Sequence, residues 1–455
     1  PDHPRHRGRR SARRTRMAIS ARRAAARPTR RRSTGRSSCA MSDPTSSPVI
    51  SSRSRSRMPT RTTCSACRQR ADQGSARGNV QAGSGVAPVM RAVMKPLPAL
   101  FLALLAACDT GATPPRESEP TVLDEAAVTT TGLDPQLMER AVARAASLAP
   151  LNAMVVMRDG EVLYENTFND GPPLSRAVNI KSASKSVISA LVGIAIERGV
   201  LDGVDQKVAD VLGPEAAANS DPRIDDLTIG HLLSMQAGLE RTSGENYGAW
   251  VSSRNWVRDA LSRPFVADPG GRMLYSTGST HLLSAILTRA SGRSTLELAR
   301  EWLGEPLGIS IPSWPADPQG IYFGGNDMRL TPRDLARFGE LYRQGGTVDG
   351  QQIVPADWIE ESWTPRTRSP WSGEAYGYNW FLGRAGDYAM NYGWGYGGQM
   401  IFVVPELDLT VAMTSDIDVE RGSSHIGDLR RLMTEHIVPA AVAGGAFEQA
   451  SRERG

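Results

Sequence analysis

Ser182-Ala183-Ser184-Lys185 places a hydroxyl and an amine three positions apart at the start of the apolar run 187–196. On a helix, positions three apart share a face, so the two groups can meet. A serine hydroxyl is a weak nucleophile until a base takes its proton, and a lysine can be that base only when neutral. Burial beside apolar neighbours and the positive end of a helix dipole both disfavour the ammonium form. The chemistry open to the pair is attack on a carbonyl through a covalent serine intermediate. The motif is short, and a helix-capping serine followed by a solvated lysine would have the same letters.

Two further segments belong to the same chemistry. Leu274-Tyr275-Ser276-Thr277-Gly278 is a polar loop opening an apolar helix, where a tyrosine hydroxyl is presented to a cleft. Gly393-Trp394-Gly395-Tyr396-Gly397-Gly398-Gln399 leads into an apolar strand at 400–404. Glycines at such an edge, here Gly395, Gly397 and Gly398, let a ligand approach the backbone, and exposed N–H groups can form half of an oxyanion hole. Trp371, Trp380 and Trp394 stand close enough in sequence to line an apolar pocket, which suits a neutral acyl substrate. His231, on an apolar helix, reads as a hydrogen-bonded core or turn residue, and so does His281. No Gly-x-Ser-x-Gly elbow follows residue 108, which leaves an α/β-hydrolase triad without support.

The elements that must position these residues lie between about 131 and 440. Helical spacing of apolar residues predicts helices over 134–148, 183–198, 228–236, 249–262, 279–291, 294–303, 331–344 and 355–363, with another over 426–437. Asp159-Gly160 between the apolar runs 153–157 and 161–166 signals a hairpin, and a second joins 399–404 to 409–414. The expected fold is therefore α/β: an antiparallel sheet built from both ends of the body and flanked by helices, with a mostly helical subdomain between them.

Charge and cysteine divide the chain unevenly. The formal net charge is +5, but residues 1–93 hold 22 Arg and no Lys against three Asp and no Glu. That segment carries +19, leaving −14 for residues 94–455. An acidic body argues against nucleic acid as a partner. All four cysteines lie at or before Cys108, which excludes disulfides from the body, and no two body histidines have helical metal-ligand spacing. Neither a metal nor a cofactor is expected.

Residues 1–93 buy too little apolar burial to fold, and they read as a disordered Arg-rich leader lying upstream of the true start at Met90 or Met94. Met94-Lys95 followed by the short apolar run 96–107 is laid out as a secretory signal. Leu105-Ala106-Ala107-Cys108 resembles a bacterial lipobox. That resemblance implies a lipidated Cys108, a tether over 109–130, and an exported protein anchored to a membrane and facing the periplasm. Residues 441–455 are expected to form a flexible tail.

Across 131–440 the order of motifs, Ser-x-x-Lys, then Tyr, then a Gly-rich strand entry, resembles the serine β-lactamase and penicillin-recognising superfamily. The likeness is to its class C-like branch, with the esterases and 6-aminohexanoate-dimer hydrolases. Thr228 to Leu239 and Gly324 to Gly339 are similar to further segments of that family. The resemblance implies Ser182 as nucleophile, Lys185 as its base, Tyr275 as proton relay to the leaving group, and the N–H groups of Ser182 and Tyr396 as the oxyanion hole. Two departures bear on substrate. Thr277 stands where the family's second motif usually has Asn, and no Lys or His precedes the third motif to hold a substrate carboxylate. Glu165 and Asn169 come before Ser182, the wrong place for a separate deacylation glutamate.

The expected activity is hydrolysis of a small-molecule amide or ester through an acyl-enzyme. A true β-lactamase or D,D-peptidase is the alternative, and a non-catalytic penicillin-recognising binding module is another.

Overall fold

The computed structural model describes residues 132–419 and 422–452, with side chains to 445. The leader, the signal, Cys108 and the tether lie outside the described residues.

Eight strands form one antiparallel sheet: β1 (Leu151–Arg158), β2 (Glu161–Thr167), β3 (Thr367–Arg368), β4 (Ala375–Tyr376), β5 (Phe381–Ala385), β6 (Tyr388–Gly395), β7 (Gln399–Val404) and β8 (Leu409–Ser415). Their order across the sheet is β2-β1-β8-β7-β6-β5-β4-β3, so β1 from the start of the body pairs with β8 from its end. This is the sheet from both ends that the two hairpin signals implied. Asp159 (φ 48°) and Gly160 (φ 84°) take the left-handed conformation that a tight two-residue turn between twisted strands requires.

Both faces of the central strands are covered, so β7 reads as an unbroken apolar run rather than an alternating one. Val155, Ile401, Val403 and Ala412 pack into one core with the helical layer. Their neighbours Met154, Val156, Met400, Phe402, Val411 and Met413 pack on the other face with Met138, Ala141, Leu429 and Met433. The second core is closed by α1 (Pro135–Ala146), capped by the Asp134 carboxylate, and by the helical stretch that starts at His425. That stretch continues as the helix Val438–Arg452, through the boundary at 440 where a tail was expected to begin.

On the first face α2 (Ser184–Glu197) is buried over every residue from Ser184 to Ala195, which accounts for its all-round apolar sequence. Gly193 permits the contact on one side, because a Cβ there would collide with the Trp358 ring. α3 (Thr277–Ser291), ended by Gly292 at φ 69°, packs beside it. α4 (Pro332–Arg343), capped by Thr331, crosses β7 and β8, and Gly339 sits where a Cβ would lie 2.8 Å from both Ile401 and Thr410.

Three elements differ from expectation. The helix expected over 249–262 is two, Tyr247–Val251 and Trp256–Leu261, the second capped by the Asn255 side chain. Val208–Ala216 is helical although Gly213-Pro214 disguises it, and Leu212 is kinked there. The Gly-rich approach to β7 is itself a strand, β6, and only Tyr396 to Gly398 form the turn.

Candidate active site

Ser182 sits in a single 3-10 turn, Lys181–Ala183, that runs into α2. The chain entering this turn is clamped. Val178 and Asn179 pair with Leu330 and Arg329, and the Ile180 N–H donates to the Met328 carbonyl at 3.0 Å. The Asn179 side chain accepts from the Lys181 N–H at 2.8 Å and donates to Asp327 at 2.7 Å. Asp327 in turn pairs with the Lys181 ammonium at 3.2 Å. Lys181 has φ 48°, a left-handed conformation that costs a non-glycine residue energy and persists only where its surroundings fix it. Ser182, the next residue, lines the cleft.

Lys185 is on the first turn of α2 and only 1% exposed. Its Nζ lies 3.1 Å from Ser182 Oγ, donates to the Gly325 carbonyl at 2.5 Å, and stands 3.5 Å from Thr277 Oγ1. Burial pulls its pKa down to about 7, against the opposing pull of the Asp327 carboxylate. A large share of the amine is therefore neutral near neutral pH, with its lone pair beside the serine hydroxyl.

Tyr275 precedes α3 and also reaches Ser182, with its ring centroid 5.3 Å from Lys185 Nζ. Its ring is held by Phe381, stacked at 6.4 Å, and by Trp371 and Tyr376 at edge-on distances of 5.8 and 6.3 Å. Burial drives the phenol well above its ordinary pKa, although the Ser182 hydroxyl beside it pulls the other way. Tyr275 is thus a proton donor at neutral pH, and Lys185 is an available acceptor. Environments that push two groups in opposite directions are how one site assigns acid and base roles.

Thr277 fills the place where the resemblance called for Asn. Its hydroxyl bonds the Ser243 hydroxyl at 3.0 Å, and its N–H donates to the same oxygen at 2.9 Å. Thr242 ties the loop further, accepting from the Gly278 N–H at 2.8 Å. Ser243, Asn326 and Tyr247 were not legible as site residues, yet all three line the cleft, and the Asn326 amide donates to the Tyr247 hydroxyl at 2.8 Å. The Gly324-Gly325-Asn326-Asp327 turn was the one available signal for two of the site's groups.

The cleft is a cavity of about 770 Å³ with Ser182, Lys181, Tyr275 and Thr277 at its base and Trp371, Phe381, Trp394 and Tyr396 among its walls. Lys181 is the one cation among its described lining residues, and Asp327 already holds it. Trp380 is instead fully buried beside Phe338 and Tyr342. His231 caps its own short helix. His281 is buried, its Nδ1 accepting from the Gly324 N–H at 3.3 Å and its Nε2 bonded to Asp317 at 3.1 Å. It supports the turn that carries Gly325 and does not face the cleft.

Tyr396 stands at the rim, with its hydroxyl donating to the Val419 carbonyl at 2.8 Å. Gly395, Gly397 and Gly398 stand behind it, facing protein. A Cβ on Gly395 would strike the Ile180 carbonyl, one on Gly397 would come within 2.5 Å of the Asp416 carbonyl, and one on Gly398 within 2.9 Å of the buried His425 ring. None of the three lines the cavity. Their positions explain why the residues are glycine: β6 presses against the turn that carries Ser182, and a Cβ on Gly393 would likewise lie 2.9 Å from Ser186 Oγ. Gly395→Ala is therefore expected to destabilise the fold by about 1–3 kcal/mol through forced backbone movement. It should also slow hydrolysis that depends on Ser182, since the displaced segment carries that residue; denaturant midpoint and rate, measured on one sample, check both.

The amino-acid pattern of residues 136–432 matches the family model described as Beta-lactamase. The 6-aminohexanoate-dimer hydrolase of Paenarthrobacter ureafaciens is 26% identical over 226 residues, 46% of this chain and 56% of that protein. The match thus spans little more than half the length of that relative. Among solved structures, a penicillin-binding protein homolog from Caulobacter crescentus superposes with a TM-score of 0.54 at 21% identity, over 68% of this chain and 99% of that one. A family VIII carboxylesterase does so at 0.51 and 19%, over 65% and 96%. These likenesses agree with the sheet order and the helical layer, and with the family model covering most of the described residues, the chain belongs to the serine β-lactamase-like superfamily.

Proposed function

We propose that the protein is a serine hydrolase that cleaves an ester or a linear amide with a neutral acyl group. Ser182 Oγ bonds to the carbonyl carbon and its proton passes to Lys185. The bond to the leaving alkoxide or amine then breaks as Tyr275 gives that atom its proton, and the Lys185 ammonium restores the proton on Tyr275. Water repeats the sequence on the acyl-enzyme and frees Ser182. The N–H groups of Ser182 and Tyr396 hold the oxyanion. The observation that carries this reading is Lys185 Nζ at 3.1 Å from Ser182 Oγ with a pKa lowered to about 7.

The aromatic rings that line the cavity favour a neutral acyl group, and the pairing of its one described cation, Lys181, with Asp327 leaves none there for a substrate carboxylate. A β-lactamase or D,D-peptidase would need a free cation for its substrate carboxylate. Steady-state rates on a short-chain ester, a linear amide and nitrocefin test the reading. The ester or amide should be turned over faster, and nitrocefin outrunning both would replace the proposal by the lactamase alternative. Tyr275→Phe should lower kcat by roughly 10²–10⁴-fold, the usual share of a positioned general acid. Its effect should shrink on esters whose leaving group needs no proton, and an equal loss on all esters would remove Tyr275 from that role.

A further inference from the structure

We infer that His281 and Asp317, a buried pair outside the cavity, are positioning residues for the base: Asp317 fixes the tautomer of His281, and that tautomer holds the turn against which Lys185 rests. This deepens the hydrolase reading and rests on it. Both side chains are fully buried. The imidazole, on α3, is surrounded by Trp250, Trp256 and Phe323, with ring centroids 5.4 to 5.9 Å away. Burying a carboxylate among apolar groups is costly unless hydrogen bonds satisfy it. Neither residue lines the cavity.

The hydrogen bonds run in one direction. Asp317 Oδ1 accepts from the N–H groups of Gln319 and Ile321, at 2.8 and 2.9 Å. Its Oδ2 faces His281 Nε2 at 3.1 Å. A carboxylate only accepts, so Nε2 carries the imidazole proton and Nδ1 keeps a lone pair. That lone pair accepts the Gly324 N–H at 3.3 Å. Gly325, the next residue, gives its carbonyl to Lys185 Nζ at 2.5 Å. Taking one N–H of the amine limits its rotation and so sets where its own lone pair points, with Ser182 Oγ 3.1 Å away. Asp327, two residues on, holds Asn179 and Lys181 beside the nucleophile. One four-residue turn thus supports both reactive groups, and His281 is its buried anchor. The turn has little slack: a Cβ on Gly324 would strike the Thr280 carbonyl, and one on Gly325 would lie 2.8 Å from Lys185 Cγ.

Asp317→Asn is nearly isosteric and separates tautomer from packing. The Gln319 and Ile321 N–H groups still require an oxygen, so the amide NH2 turns to Nε2 and donates to it. The imidazole proton then sits on Nδ1, where it meets the Gly324 N–H head on. The test follows hydrolysis of 4-nitrophenyl butyrate by the full chain. Asp317→Asn should lower kcat by roughly 10²-fold with little change in KM, the usual cost of a slightly misplaced catalytic group. Its kcat/KM should also rise at a lower pH than the wild type's limb at about 7, because an ammonium deprived of its carbonyl partner is less stabilised. A merely loosened core would reduce the folded fraction and leave that limb in place. His281→Asn keeps an acceptor where Nδ1 stands and should retain most of the rate, whereas His281→Gln reaches toward Nε2 instead and should fall with Asp317→Asn. Adding His281→Asn to Asp317→Asn should recover rate, since an amide has no tautomer to switch. A folded Asp317→Asn with wild-type kcat or an unmoved limb would overturn the positioning role, while wild-type turnover left the hydrolase reading in place. Equal rates for His281→Asn and His281→Gln would overturn it too, and that pair decides alone where Asp317→Asn does not fold. A wild-type protein without turnover would overturn the hydrolase reading and this role with it.

Discussion

Ser182→Ala is expected to lower kcat/KM for a neutral ester by roughly 10³–10⁶-fold, with the fold intact. The loss is large because nucleophile and base act as a unit: without Oγ there is no acyl-enzyme, and Lys185 has nothing to deprotonate. Binding should change little. Ser182 is part-exposed in the 3-10 turn, and what alanine would lose is the hydroxyl contact with Lys185 Nζ and not apolar core packing. A circular-dichroism melt within a degree or two of wild type, together with the lost rate, is the expected pair of results.

Lys185→Met should cost a similar factor in turnover while making the protein more stable. Lys185 is buried, and folding lowers its pKa from the ordinary 10.5 to about 7. Between these values the unfolded chain binds more protons than the folded one, so the wild-type protein gains stability as pH rises through that window. Below about 7 the folded state carries a buried ammonium and the penalty is complete; above about 10.5 it vanishes. Methionine has a similar volume and no charge, so its advantage at pH 7 should be on the order of 3 kcal/mol, reduced by the lost bond to Gly325, and should fade toward pH 10. Denaturant midpoints across that range check the trend. The same pKa sets the rate profile of the wild type: kcat/KM should rise with pH through about 7 as the base becomes neutral, with no descending limb from Tyr275 in the range where ordinary tyrosines titrate.

Much of this arrangement was legible in the amino-acid order because its signals are local. Ser182 and Lys185 share a helical face by spacing alone, and Asp159-Gly160 allows little but a hairpin. The sheet from both ends followed from two hairpins and a helical middle. What was not legible depends on contacts distant in sequence. Gly393 and Gly395 look like loop glycines, but they are strand residues kept small by the turn around Ile180 and by Ser186. Thr277 looks like a lost Asn until the Ser243 hydroxyl is seen against it. Lys181 gives no hint of its left-handed backbone, because that conformation is imposed by Asp327 and by a two-residue ladder with Arg329 and Leu330. The three tryptophans near the last motif look alike in sequence, yet Trp371 and Trp394 line the cavity while Trp380 is core.

Trp371 is 55% exposed, an unusual setting for so large an apolar side chain, and it lines the cavity beside Tyr275. Its edge-on contact also holds the Tyr275 ring, so a residue of the cavity wall helps to orient the proposed proton donor.

The central claim is that Ser182 is an activated nucleophile, and intact-protein mass spectrometry of the chain after exposure to a fluorophosphonate tests it most directly. The account predicts one adduct per chain, located on Ser182, absent in Ser182→Ala and formed more slowly below pH 7. A folded protein that takes no adduct, or takes it equally in Ser182→Ala, would contradict it.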